Sequence, residues 1–230
     1  MAEVSAEIEV KGVLFDMDGV LVSSIASAER CWRRWAAEYG VPNPDQVTIP
    51  HGVRAIDIAL MLKPDVDPVE GLRRIEQMEI EDVGDVQLLP GARALLESLP
   101  RERWTIVTSA TRPLLIARLQ AAGLPVPERL VSGEMVTRGK PDPEPYRMGA
   151  EMLRLAASDC LVVEDAPSGV RAGIAAGCRV LGVEGTHERE ELREAGAEFV
   201  VRSLEDVRVS VDREQLKIAL RGSALPLIKV

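Results

Sequence analysis

Short apolar runs that stop at polar or small residues recur along this chain. They are Val13-Leu14-Phe15 before Asp16, Trp104 to Val107 before Thr108-Ser109, and Leu161-Val162-Val163 before Glu164-Asp165, with Val180 to Val183 and Phe199-Val200-Val201 following. Runs this short and this uniformly apolar predict strands buried on both faces, as in a parallel sheet. Helical spacing fills the gaps at Ala92 to Leu99, Pro113 to Ala122, Pro145 to Leu155 and Val170 to Ala176. Gly123 and Gly177, each after an Ala-Ala pair, stand where helix C-caps take glycine. Strand and helix alternate from about residue 85 to 201, which predicts a doubly wound parallel α/β sheet.

One interval breaks the alternation. After the first strand at 11–16, the next clear strand comes only near 104, and residues 24–84 read as helices instead. Cys31, Trp32, Trp35 and Tyr39 share one helical face, and Leu72, Ile75, Met78 and Glu79 begin another, with Pro42, Pro44, Pro50, Pro64 and Pro68 separating the pieces. This predicts a small helical domain at 23–84, inserted into a core built from 1–22 and 85–230. Its aromatic stripe is read as plain core. In the tail, Val207, Val209 and Val211 alternate with polar residues, as do Leu216, Ile218 and Leu220, so two strands joined by a short turn are expected.

Composition narrows the function classes. The 230 residues are 46% apolar and 28% charged, enough to build a packed core and to exclude wholesale disorder. A net charge of −9 argues against a nucleic-acid or anionic-membrane binder. No run of about 18 apolar residues occurs, and the first ten residues alternate acids with small and apolar residues, so neither a membrane span nor a signal peptide is expected. Cys31, Cys160 and Cys178 have no C-x-x-C spacing and lie in apolar or helical contexts, which predicts buried thiols, a reducing compartment and a cytoplasmic location. No obligate protein partner is evident. Only five Lys stand against 23 Arg, so each Lys merits inspection.

The polar residues at the strand ends carry the candidate chemistry, since ligands of parallel α/β sheets collect at the carboxyl ends of strands. Asp16 and Asp18 follow one strand, Thr108 and Ser109 another, Glu164 and Asp165 a third, and Lys140 lies in a loop before a helix. If those strands are neighbours, four carboxylates, a hydroxyl and an ammonium converge. Crowded carboxylates hold either a shared proton or a cation, and an oxygen-only set favours Mg2+ over zinc. With Mg2+ and a lysine in place, such a site attracts phosphate and stabilises a phosphoryl group in transfer. Asp16 is a candidate carboxylate nucleophile and Asp18 a candidate acid then base, while Gly19 lets the backbone turn away.

Phe15-Asp-Met-Asp-Gly-Val-Leu21, the strand ending in Ser109, Gly139-Lys140-Pro141 and Val163-Glu-Asp-Ala-Pro-Ser-Gly169 occur in that order. Together they resemble the four signature motifs of the haloacid dehalogenase superfamily, in its members with a Rossmann-like core and a small helical cap. The segment His51-Gly52-Val53-Arg54 and the stretches Leu89-Pro-Gly-Ala92 and Val107-Thr-Ser-Ala-Thr-Arg112 are similar to the sugar and polyol phosphatases of that superfamily's phosphoglycolate phosphatase and beta-phosphoglucomutase branch, among them those acting on hexitol phosphates, 2-deoxyglucose 6-phosphate and glycerol phosphate. The resemblance implies a Mg2+-dependent phosphatase acting on small sugar or polyol phosphates. It implies that Asp16 forms an aspartyl-phosphate, that Asp18 protonates the leaving oxygen and then activates water, and that Asp16, the Asp18 carbonyl, Asp165 and, through water, Glu164 hold the metal. Ser109, the Ala110 N–H and Lys140 would bind phosphate, and His51 and Arg54 would contact substrate, although Arg54 could equally pair with Asp57.

Two departures bear on reaction type. Ser23 stands where many relatives have an aspartate at the entry to the cap, and Ala28 occupies the place where the mutase branch shows a histidine. The alternatives are therefore a phosphosugar mutase of the beta-phosphoglucomutase type, disfavoured by Ala28, or a glycerol-phosphate phosphatase. His187, beside Thr186 and Glu188, is read as a helix-start residue.

Overall fold

The computed structural model describes residues 4–221. Residues 1–3 and 222–230, which the predicted core segments include, lie outside the described residues. The chain opens with β1 (Val4–Val10) and β2 (Gly12–Phe15), then forms the two-residue strand β3 (Val22–Ser23). Three helices follow, α1 (Ile25–Glu38), α2 (Ala55–Leu62) and α3 (Pro68–Glu81), before the short strand β4 (Gln87–Leu88). Alternation then begins with α4 (Ala92–Ser98), β5 (Trp104–Val107), α5 (Arg112–Ala121), β6 (Leu130–Val131) and α6 (Glu144–Leu153). It continues through β7 (Cys160–Glu164), α7 (Pro167–Ala176), β8 (Arg179–Val183), α8 (Arg189–Glu194) and β9 (Phe199–Val201). A hairpin of β10 (Val207–Asp212) and β11 (Gln215–Arg221) ends the described chain.

Six strands form one parallel sheet in the order β6-β5-β2-β7-β8-β9. Counted by appearance along the chain this is 3-2-1-4-5-6, so the winding reverses between β2 and β7. That reversal opens a crevice at the carboxyl ends of β2 and β7, where ligands of such sheets bind. Period-two geometry sends Val13 and Phe15 into the layer that holds Leu95 and Leu96 of α4 and Leu115 and Leu119 of α5. Leu14 goes the other way, into the layer with Tyr146 and Ala150 of α6 and Val170 of α7. Each such large side chain contributes about 1.5–3 kcal/mol on burial, which explains why the strands read as unbroken apolar runs.

Four strands were not foreseen. β1 pairs antiparallel with β11 and makes the tail hairpin a three-stranded sheet, burying Ile8 and Val10 against Leu216, Ile218 and Leu220. Its alternation of Glu7 and Glu9 with Ile8 and Val10 carries the strand signal. β6 and the pair β3–β4 contain two residues each, too few for any periodicity. The β3–β4 ribbon, Val22 to Leu88 and Ser23 to Gln87, clasps together the two passages of chain between the sheet and the helices α1–α3.

Those three helices have their own core of Cys31, Trp32, Trp35, Ile58, Ala59, Ile75 and Met78. Trp35 stacks on Tyr39 with ring centroids 4.4 Å apart, and its indole N–H donates to the Gly71 carbonyl at 3.0 Å, so the aromatic stripe is core. Asp67 accepts from the N–H groups of Val69 and Glu70 and, with Pro68, starts α3. Among the described residues no helix is long and apolar enough to cross a membrane.

Candidate active site

The crevice is built by strand ends. Asp16 leaves β2 with its N–H still bonded to the Val163 carbonyl of β7 at 3.0 Å, which places its carboxylate beside those of Glu164 and Asp165. Ligating oxygens of these three acids lie within 4.8 Å of one another, and all three residues are buried. Lys140 is also buried and donates to Asp16 Oδ1 and Glu164 Oε1, both at 2.6 Å, and to the Val107 carbonyl at 3.2 Å. Three donors meet three acceptors, which satisfies the ammonium. Tyr146 Oη donates to Glu164 Oε1 at 2.6 Å, and Glu164 Oε2 accepts from the N–H groups of Asp165 and Ala166, so this carboxylate is held from two sides.

Two glycines make room for these acids. Gly19 sits at φ +82°, and a side chain there would overlap the Asp165 carboxylate. A methyl group at Gly169 would overlap the carboxylate of Glu164.

Three carboxylates against one ammonium leave surplus negative charge in a dry place. Burial pushes the Asp16 carboxyl up to about 7, Lys140 opposes the rise, and Glu164 and Asp18 add to it. Burial, Glu164 and Asp16 hold Asp165 well above the usual carboxylate range. Burial works against the Lys140 charge, but Asp16 and Glu164 outweigh it and keep the ammonium charged. The arrangement accepts a proton or a hard cation, the two outcomes open to crowded carboxylates.

Asp18 lines the same cleft as Asp16, but its carboxylate has partners of its own. Its side chain does not join the three-carboxylate cluster expected to include it. Oδ2 accepts from Arg118 Nη1 at 2.8 Å and Oδ1 from Ser24 Oγ at 2.5 Å. Arg118 of α5 also donates through Nη2 to Glu79 Oε1 of α3 at 3.0 Å. Burial raises the Glu79 carboxyl above its ordinary value, with Arg118 opposing.

The remaining candidates divide. Ser109, Ala110 and His51 all line the cleft between the sheet and the helices. Ser109 Oγ donates to the Gly52 carbonyl at 2.7 Å, and the Ala110 N–H donates to Thr108 Oγ1 at 3.1 Å. The His51 ring lies edge-on to His187, with centroids 5.7 Å apart, and burial followed by His187 lowers its pKa. Arg54 does not line the cleft. Its Nε and Nη2 bind Asp57 at 2.8 and 3.0 Å, and Nη1 donates to the carbonyls of Val136 and Thr137, so the guanidinium straps the helical insertion to a core loop. His187 precedes α8, whose Glu188 and Glu191 form a capping box.

Four residues of the site escaped the sequence reading. Tyr146 hides in the apolar face of α6. Thr186 bonds Asp165 from the loop after β8. Arg118 and Glu79 had a legible signal, because each is a charge in an apolar stripe: Leu114, Leu115 and Leu119 around one, Ile75 and Met78 beside the other.

Comparison with known proteins gives the chain a family. Residues 10–177 match the haloacid dehalogenase-like hydrolase family. Hexitol phosphatase A of Escherichia coli is 41% identical over 205 residues, covering 87% of this chain and 94% of that protein. The 2-deoxyglucose-6-phosphate phosphatase 1 of Saccharomyces cerevisiae is 33% identical over 236 residues, covering 93% of this chain and 94% of that protein. A crystal structure of a hydrolase from Pseudomonas syringae superposes with a TM-score of 0.72 at 25% identity, over 84% of this chain and 93% of that one.

Proposed function

This chain belongs to the haloacid dehalogenase-like hydrolase family, and from that premise we propose that it is a Mg2+-dependent phosphatase of small sugar or polyol phosphates. On this reading the described residues of 1–22 and 85–230 form its catalytic core and 23–84 its cap. One observation carries the reading: Asp16, Lys140, Glu164 and Asp165 meet, buried, at the switch point of the sheet. The named activities of two relatives, hexitol phosphatase and 2-deoxyglucose-6-phosphate phosphatase, support the substrate class.

The donor set fits the cation. Asp16, Asp165 and Glu164 offer only oxygen, and their charge exceeds what Lys140 neutralises. Bound Mg2+ would offset that surplus and polarise the phosphoryl oxygens. Lys140 attracts the phosphate by its charge, and Ser109 Oγ and the Ala110 N–H, exchanging their bonds to Gly52 and Thr108 for phosphate oxygens, orient it. The Asp16 carboxylate attacks phosphorus, the ester P–O bond breaks, and Asp18 gives its proton to the departing sugar oxygen. Asp18 then takes a proton from water as that water attacks the phosphorus of the aspartyl-phosphate, which frees inorganic phosphate and restores Asp16. Across the cleft, Trp32 and Ile58 offer apolar surface and Glu76 a carboxylate, a wall suited to a hydroxylated leaving group. A cytoplasmic location suits the three free, buried cysteines.

Phosphate release measured over sugar and polyol phosphates, with Mg2+ and with chelator, tests the proposal. Metal-dependent turnover of several such esters is the expected result. Interconversion of glucose 1-phosphate and glucose 6-phosphate without phosphate release would point to a mutase. Ala28 lines the cleft where that branch shows histidine, and leaves water the more accessible acceptor.

A further inference from the structure

We propose that Arg118 and Glu79 are positioning residues for the acid–base carboxyl of Asp18, and that Glu79 makes this positioning depend on the cap being seated on the core. Arg118 and Glu79 are each only 5% exposed. They come from different units, Arg118 from α5 of the core and Glu79 from α3 of the cap. The Arg118 guanidinium and the Glu79 carboxylate, buried at this contact beside a half-buried Asp18, cost desolvation that apolar side chains would not, so stability alone does not account for them. The planar fork of Arg suits another purpose, because it holds two carboxylates at a set angle.

Both oxygens of Asp18 are thereby fixed. Ser24, just past the β3–β4 clasp, holds Oδ1, and Arg118 holds Oδ2. Each carboxyl oxygen has two acceptor sites, so this grip leaves a site free for the proton that Asp18 transfers. Remove Glu79, or lift the cap, and Nη2 of Arg118 loses its carboxylate. The fork then swings, and the acid loses its aim. Asp18 is thus in working order only over a seated cap.

The proposal rests on the phosphatase reading, and its test uses the leaving group. An alkyl phosphate expels a strongly basic alkoxide and needs the proton, whereas 4-nitrophenyl phosphate expels a stable phenolate and needs it little. We expect Glu79→Ala and Arg118→Lys to lower kcat/KM on a hexitol phosphate by about 10- to 100-fold, a fraction of a full general-acid contribution, and on 4-nitrophenyl phosphate by less than about 3-fold. Glu79→Gln, whose amide oxygen still accepts from Arg118, should recover most of the loss. Arg54→Ala cuts a cap link that does not touch Asp18, and should affect both esters equally. Thermal melts identify any variant that fails to fold; Arg118→Lys, which keeps the charge and most of the volume, then carries the test. Equal losses on the two esters, or no loss on the hexitol phosphate, would overturn the proposal while leaving the phosphatase standing. Wild type inert toward both esters with Mg2+ would remove the phosphatase reading and this proposal together.

Discussion

Two buried cations flank the Asp16-Met17-Asp18 turn, and their surroundings differ in kind. Lys140 is enclosed by the core alone: Asp16 from the end of β2, Glu164 from β7 and the Val107 carbonyl from β5. Arg118 is shared, bonded to Asp18 on the core side and to Glu79 on the cap side. The ammonium is a compact charge among rigid strand ends, so its cluster persists wherever the cap sits. The guanidinium is a fork whose second prong needs the cap. On the proposed reading one cluster carries the chemistry, and the other reports cap position to it.

The largest expected effect breaks the Lys140 side outright. Asp16→Asn should lower kcat by at least ~10³-fold on every ester, since an amide does not attack phosphorus as a carboxylate does. Its thermal midpoint should hold or rise, because a buried charge is removed. Residual Mg2+-dependent turnover above a trace would refute Asp16 as nucleophile. Next comes Asp165→Asn, which should raise the Mg2+ concentration for half-maximal rate by about 10- to 100-fold, the range that loss of even an outer partner costs a metal site. An unchanged metal titration would show that Asp165 is no ligand.

A smaller effect lies in the pH dependence of metal-free protein. Asp16 titrates at about 7 when folded against an ordinary 3.8, so between these values the folded state holds a proton that the unfolded state has released. The Asp16 contribution to stability therefore falls as pH rises from about 4 to 7, and is level above. Wild type should lose thermal midpoint relative to Asp16→Asn across that window, and Mg2+ should restore it. Parallel melting curves for the two proteins would contradict the burial argument.

The smallest effect sharpens the contrast from the cap side. Arg54→Ala removes charged hydrogen bonds to Asp57 and two carbonyls without touching either cluster. About 1 kcal/mol, or roughly 2–4 °C in Tm for a chain this size, is expected, with no preference between alkyl and aryl esters. A selective loss on sugar phosphates would return Arg54 to the substrate contacts first assigned to it.

Much of this was legible in the chain. Val13-Leu14-Phe15, Trp104 to Val107 and Leu161-Val162-Val163 became β2, most of their strands in β5 and β7 lying where the apolar runs lie. Strands buried on both faces have no polar side to confuse them, and their last residue hands the chain to a polar cluster. Asp16, Ser109, Glu164 and Asp165 were findable for that reason, and Lys140 for the rarity of lysine in the chain and its place between Gly139 and Pro141. β3, β4 and β6 were not, because two residues carry no period, and Tyr146 was not, because a tyrosine in an apolar helix face reads as core.

What the sequence determined alone was most of the buried strands, their polar ends and therefore the acids of the site, since each follows from local periodicity and from where a buried strand must stop; Lys140 was legible from its Gly-Lys-Pro context and the scarcity of lysine. Direction was decided only in three dimensions. Asp16 and Asp18 are two residues apart, yet one joins Lys140 and the other Arg118. Arg54 has the charge to meet a phosphate, and spends its nitrogens on Asp57 and a core loop. A charged side chain goes to whichever partner relieves its burial, and the two partners of Arg118 are brought near by packing from positions 39 and 100 residues away in the chain, a distance over which no local pattern carries information.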